Sequence, residues 1–334
     1  LISVTPEVRS SFLKLAPQLG RARALRAPSG GSYETGTANE QDWSWFIDRI
    51  LGSGNQVRNL EEAAQRASSQ LGRRVVLKVI VMVPRPNPEL SLSKRVEMVA
   101  SYIDEVAARF NASGFEHLQL EGFYWMAETV YSEDEDLVKA FCEHVRSRGY
   151  RTYWIPYFTA RGWDRWRGFG FDYVMIQPNV AFYDVDPESR FSQVDERVRQ
   201  YSITVEMELP MYKGNPLFRD WRDSFVLYLW ASLKYGWYKL APLSYYYANA
   251  FYEMYVREGA FYDLLYKHVK GTLTFDDIRG MYEDFARYLE RSARERFVAG
   301  LAAAGFLAAL FILISWVVAR NLRKWRLSEA SLDR

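Results

Sequence analysis

Two periodicities of apolar residues take turns along the middle of the chain. VVLKVIVMVP (Val75–Pro84) is almost continuously apolar, rich in β-branched residues and stopped by a proline, which predicts a strand buried on both faces. Before it, NLEEAAQRASSQLG predicts a helix closed by Gly72. After it, Val96, Val99, Ile103, Val106 and Phe110 recur at helical spacing across 94–110. HLQLEG returns to alternation by two, with Glu121 expected at the strand end and Gly122 expected to let the chain turn. Ser132 and Glu135 have the spacing of a capping box, opening a helix that ends near Gly149. YRTYWIPYF, FDYVMIQPN and SITVEMELP read as further strands, with a short helix across 188–200. A long helix is expected from Asn215 and Pro216 to Tyr235, then a strand and a helix in LAPLSYYYANAF. The six expected strands fall roughly at 75–84, 118–122, 151–158, 172–178, 202–209 and 241–247.

Strands separated by helices, with parallel-type apolar runs, predict an α/β fold. The expected architecture is a TIM-type (β/α) barrel, complete or lacking its first strands, with a C-terminal transmembrane helix; a doubly wound open sheet is the alternative. No Gly-rich phosphate loop follows any strand, which removes the usual sign of a nucleotide fold. Polar and aromatic residues gather at the expected C-terminal strand ends (Glu121, Tyr157, Gln177, Asn179, Glu208 and Tyr245), where barrel enzymes keep their sites. The expected organisation is an N-terminal segment over 1–42, the barrel-like domain over 43–272 and a helical stalk over 273–296. A membrane span over 297–319 and a basic tail over 320–334 complete it.

The span is the uncharged run from Phe297 to Ala319, long enough for a bilayer, flanked by Trp316, Trp325 and RNLRKWR. Arginines precede it as well as follow it, so the positive-inside rule gives no clear orientation. The first residues lack a continuous apolar signal, and the chain begins at Leu1. A surface protein with the barrel on the extracellular side is expected; a tail-anchored cytosolic protein is the alternative.

Composition narrows the chemistry. Lys and Arg number 43 against 41 Asp and Glu, a net charge of +2 with no long basic run, so nucleic acid is not an expected partner. The single cysteine, Cys142, lies on the apolar face of a predicted helix, and three histidines show no ligand spacing; neither a metal nor a cofactor is expected. Aromatic residues make up 16%, an excess suited to stacking on flat ligand faces.

Carboxylates at strand ends are the sharper signal. Glu206 and Glu208 share one face of their strand by the period of two, while Glu121 and Glu128 bracket the aromatic stretch GFYWMA. Paired carboxylates are what glycoside hydrolysis needs, one protonated as acid and one charged as nucleophile or base. The expected catalytic set is Glu121 as acid/base and Glu208 as nucleophile, with Glu206 and Glu128 as substitutes. Tyr124, Trp125, Trp154, Tyr157 and Tyr245 would meet sugar faces, and Gln177 and Asn179 would bond hydroxyls. A surface protein that binds glycan without turnover is the second class.

The segments KVIVMVPRPNP, LEGFYWMAE, WIPYFTARGWDRWRGFGFDYVMIQPNVAF and VEMELP together resemble domain-of-unknown-function family 4855, over about 43–260. That resemblance implies a glycoside-hydrolase-like barrel with no established substrate. Separately, placing Glu121 and Glu206/Glu208 on two strands of such a barrel resembles the geometry of retaining barrel glycosidases, although Leu120 stands where that clan has Asn.

Overall fold

The computed structural model describes residues 40–52, 56–209, 221–246 and 259–281, with 283 and 287. The fold below belongs to the compact unit that ends at Asp277. Helices α1 (Glu40–Leu51) and α2 (Gln56–Leu71) lead into β1 (Leu77–Val83). Strand and helix then alternate: α3 (Leu92–Ala112), β2 (Leu118–Trp125), α4 (Glu135–Ser147), β3 (Arg151–Trp154), the single turn α5 (Trp166–Phe169) and β4 (Tyr173–Ile176). They continue as α6 (Pro187–Tyr201), β5 (Thr204–Glu208), α7 (Trp221–Tyr235), β6 (Ser244–Tyr246) and α8 (Gly259–Lys270). The six expected strands are these six. The 297–319 run lies outside the described residues, among which no helix is long and apolar enough to cross a membrane.

All strand pairs are parallel, and the strand order is the chain order, β1 to β6. A doubly wound sheet reverses its strand order at a switch point. This one does not, so it is wound in a single direction, and among the described residues it is an open sheet.

Its two faces differ. Val81, Val83, Trp125, Trp154, Val174, Ile176, Val205 and Met207 are buried on the helix-covered face. Trp125 packs on Phe141 of α4 with ring centroids 5.3 Å apart, and Trp154 stacks on Phe171 at 5.2 Å. Each large side chain so buried contributes roughly 1.5–3 kcal/mol, which makes this face the core. The opposite face carries Lys78, Ile80, Met82, Tyr124, Tyr153, Tyr173, Glu206, Glu208, Ser244 and Tyr246 by register.

Two local expectations change. Strand β2 does not end at Gly122: Glu121 is the extra residue of a β-bulge between the Leu120–Val79 and Gly122–Ile80 pairs, and the strand runs on to Trp125. Gly122 serves a close approach instead of a turn, since a Cβ there would lie 2.1 Å from the Arg151 carbonyl oxygen. The Ser132–Glu135 capping box does not form either. Ser132 to Asp134 make a 3-10 turn, and Glu135 pairs with Arg165 at 2.6 Å.

Candidate active site

The C-terminal ends of β4 and β5 build a buried acidic cluster around Glu208. Its carboxylate is 0% exposed and fully engaged. Oε2 accepts the Tyr228 hydroxyl and, at 2.6 Å, the backbone N–H of Asn179; Oε1 accepts Asn179 Nδ2 at 3.1 Å. The Val180 N–H in turn donates to the Tyr228 oxygen at 3.3 Å.

Asn179 makes this possible through an unusual backbone. Its φ of +59° is left-handed, which a non-glycine residue holds at a cost of roughly 1–3 kcal/mol. The conformation lets one residue aim both its N–H and its amide at a single carboxylate. Its Oδ1 accepts the Phe158 N–H at 2.8 Å, and Nδ2 also reaches Gln177 Oε1 at 3.1 Å. Gln177 donates onward to the Ile155 carbonyl at 3.2 Å. The strand ends of β3, β4 and β5 are thereby joined through one polar network.

Glu206, two residues earlier on the same face, is 6% exposed, and its Oε1 accepts the Ser244 hydroxyl of β6 at 3.0 Å. Burial first, then the charge of Glu208, pushes its carboxyl well above the usual carboxylate range; the Ser244 bond opposes this and Glu128 adds to it. Burial likewise raises Glu208 to about 8, against the lowering effect of its Tyr228 and Asn179 donors. Among the described residues no lysine or arginine forms an ion pair with either group.

Glu128 lies beyond the end of β2, where its backbone carbonyl accepts the Tyr157 N–H at 3.3 Å. Its charge raises Glu206, Glu208 and the Tyr124 hydroxyl, which places it within electrostatic range of all three. The Tyr124 hydroxyl sits well above its ordinary value, through burial first and then Glu128 and Glu206. Tyr246, 37% exposed, meets Phe182 edge-on at 6.1 Å, and Tyr183, next to Phe182 in the chain, is 62% exposed.

Among the residues singled out from sequence, Glu128, Glu206, Glu208, Tyr124, Gln177 and Asn179 therefore converge, and Tyr157 joins their rim through its bridge to Gln177. Others go elsewhere. Glu121 lies within β2 and pairs with Lys78 at 2.9 Å. Trp125 and Trp154 are fully enclosed on the helix side, where Trp154 Nε1 donates to the Ala127 carbonyl at 2.8 Å, so neither ring faces a ligand. Tyr245 also turns to the helix side, its hydroxyl 2.9 Å from His268 Nδ1, while His268 Nε2 lies 2.7 Å from Ser232 Oγ. Tyr246, one of the strand-end aromatics that the sequence offers, joins them, while Tyr228 and Ser244 are the residues that sequence reasoning passed over. For Tyr228 a signal existed: a hydroxyl in the otherwise apolar FVLYLWASL helix must find a buried partner.

The family model described as "Domain of unknown function (DUF4855)" matches residues 31–268. The chain belongs to this family. No curated protein matches this DUF4855 chain. Among solved structures it is similar to a candidate alpha-L-fucosidase from Bacteroides thetaiotaomicron, at 11% identity and a TM-score of 0.41, covering 72% of this chain and 90% of that one. It is also similar to a family 18 chitinase from Crocus vernus, at 11% identity and a TM-score of 0.38, covering 61% of this chain and 77% of that one. A GH18 chitinase from Pseudoalteromonas aurantia gives 11% identity and 0.38, with 63% and 81% covered.

Proposed function

We propose that this DUF4855 chain is a glycoside-hydrolase-like protein on a TIM-type barrel wall, acting on a glycan with Glu206 as general acid and Glu128 as its charged partner. The observation that carries the reading is Glu206 itself: a carboxyl 6% exposed at the C-terminal end of a parallel strand, bonded to a serine hydroxyl and raised well above the usual carboxylate range by burial first and then by Glu208. Neutrality at pH 7 is what a proton donor to a glycosidic oxygen requires. Glu128 is less buried and takes the role of nucleophile or base toward the anomeric carbon. Glu208 does not touch substrate, because its oxygens are enclosed by Asn179 and Tyr228. Any charge on Glu208 raises Glu206 further, so its place beneath Glu206 favours the protonated form of the acid. Tyr246 and Tyr183 offer exposed rings to sugar faces, in place of the enclosed tryptophans.

The apolar Phe297–Ala319 run supports attachment to a bilayer, and we take the barrel wall to lie on the extracellular side. A glycan-panel screen of the full chain tests the activity. Turnover of at least one glycan by the wild type, lost in Glu206→Gln and Glu128→Gln but kept in Glu121→Gln, is the expected result. Equal turnover by all three variants would overturn the assignment.

A further inference from the structure

Beside the acidic cluster the chain assembles a short ladder of cations and rings. Arg190, in the first turn of α6, lies 3.9 Å from the centre of the Phe158 ring and donates to the Pro178 carbonyl at 2.9 Å. Arg197, two turns along the same helix, lies 3.7 Å from the same ring and 4.2 Å from that of Trp163, and it donates to the Phe158 carbonyl. Trp163 in turn meets Tyr201 edge-on at 4.8 Å. Phe158 and Pro178 follow β3 and β4, so the ladder stands at the same strand ends as Glu208.

The charges of this pair are not balanced as others nearby are. Arg199, on the same helix, pairs with Asp195 at 2.7 Å, and Arg165 pairs with Glu135 at 2.6 Å. Among the described residues neither Arg190 nor Arg197 has a carboxylate within ion-pair distance. Both are half-buried, and burial pulls both guanidinium groups below their ordinary value, Arg190 adding to the effect on Arg197. Glu208 and Tyr228 act on Arg190, and Asp164 and Tyr201 on Arg197, from beyond contact range. Two neighbouring guanidinium groups, partly desolvated and sharing one ring, form a costly arrangement when nothing anionic meets them. It is also a pre-ordered one: the rings fix both planar forks, so little rotamer freedom is lost when a ligand arrives.

We propose that Arg190 and Arg197 form a subsite for an anionic substituent of the glycan, a carboxylate or a sulfate ester, next to the Glu206 cluster. The proposal rests on the glycan reading of that cluster and names the substrate class: an acidic saccharide. A planar guanidinium matches either oxyanion through paired N–H bonds. The cation pair would also offset the repulsion between the charged Glu128 and an anionic sugar.

The test is saturation-transfer NMR of the full chain with three probes: glucuronate, glucose 6-sulfate and glucose. The expected result is a preference of about tenfold for at least one anionic sugar over glucose, as one or two charge-assisted bonds would give. That preference falls with added salt, is lost in Arg190→Gln/Arg197→Gln and persists in Lys94→Gln on the remote helix α3. Whichever anionic probe leads identifies the oxyanion. Arg197→Lys, which keeps the charge and loses the fork, gives an intermediate preference and serves if the double variant does not fold. Equal binding of the three sugars, or an undiminished preference in the double variant, would overturn the subsite. Loss of neutral-glycan turnover in Glu206→Gln alongside equal binding would leave the Glu206 assignment standing and remove only the subsite.

Discussion

Glu121 on β2 and Glu206 on β5 look alike in sequence: each alternates with apolar neighbours in a strand that helps build the same sheet. Their environments are opposite. Glu121 sits on a bulge, half-buried, and is compensated by Lys78 from the adjacent strand. Glu206 is nearly enclosed, meets a serine hydroxyl and a second carboxylate, and has no cation partner among the described residues. A carboxylate still in reach of water and paired with an exposed lysine is an ordinary feature worth little. A carboxyl that is buried without a cation is costly, and proteins retain such groups chiefly where they act. The difference between the two regions is thus one of solvation and partner, which residue spacing does not encode.

The largest effect that should separate them is catalytic. Against the best substrate from the panel, Glu206→Gln is expected to lower kcat/KM by about 10²–10⁴-fold, the usual worth of a general acid. Glu121→Gln should leave it within about twofold if the residue only pairs with Lys78. Similar losses in both variants would erase the comparison.

Glu208 supplies the next effect, through pH. Its carboxyl is raised to about 8 in the folded chain, above its unfolded value near 4.5. Between those values the folded state holds a proton that the unfolded state has released, so stability falls as pH rises through that window. Relative to Glu208→Gln, the wild type should lose on the order of 4 kcal/mol between pH 5 and pH 9, read from urea unfolding at each pH. A flat difference would mean that Glu208 is charged in the folded chain at neutral pH.

His268 gives a contrasting slope from the helix side of the sheet. Burial lowers it to about 4, so the unfolded chain binds its proton first as pH falls below the unfolded value near 6.5. Its contribution is complete above that value and is lost toward pH 4, by roughly 3 kcal/mol. His268→Gln should flatten this acid limb in the same urea series.

Gly122→Ala probes the bulge region. With the new Cβ 2.1 Å from a backbone oxygen the strands must part, and a loss of about 1–3 kcal/mol is expected. Lys78→Gln, which removes only the partner of Glu121, should cost about 0–1 kcal/mol and leave turnover unchanged. A large loss in that variant would show that the Lys78–Glu121 pair holds more than its own surface.

The strand count and winding were legible because β-branched runs, turn residues and helical spacing agree at each step, as in VVLKVIVMVP and the 94–110 segment. The pairing of Glu206 with Glu208 followed from the period of two alone. The bulge at Glu121 was not legible: an extra residue leaves no mark on local alternation and shows only in the register against β1. The fates of Trp125 and Trp154 were hidden for a related reason, since the shift in register decides which face a ring takes. Nor does composition announce Asn179's left-handed backbone or Tyr228's reach across from α7, both of which arise from tertiary packing around Glu208.

The most direct test of the account is the protonation of the two buried carboxyls, read by infrared spectroscopy as the carbonyl stretch of a neutral acid at pH 7. The wild type should show that band, Glu206→Gln and Glu208→Gln should each diminish it, and Glu121→Gln should leave it intact. A wild-type spectrum at pH 7 with no neutral carboxylic acid would contradict the account.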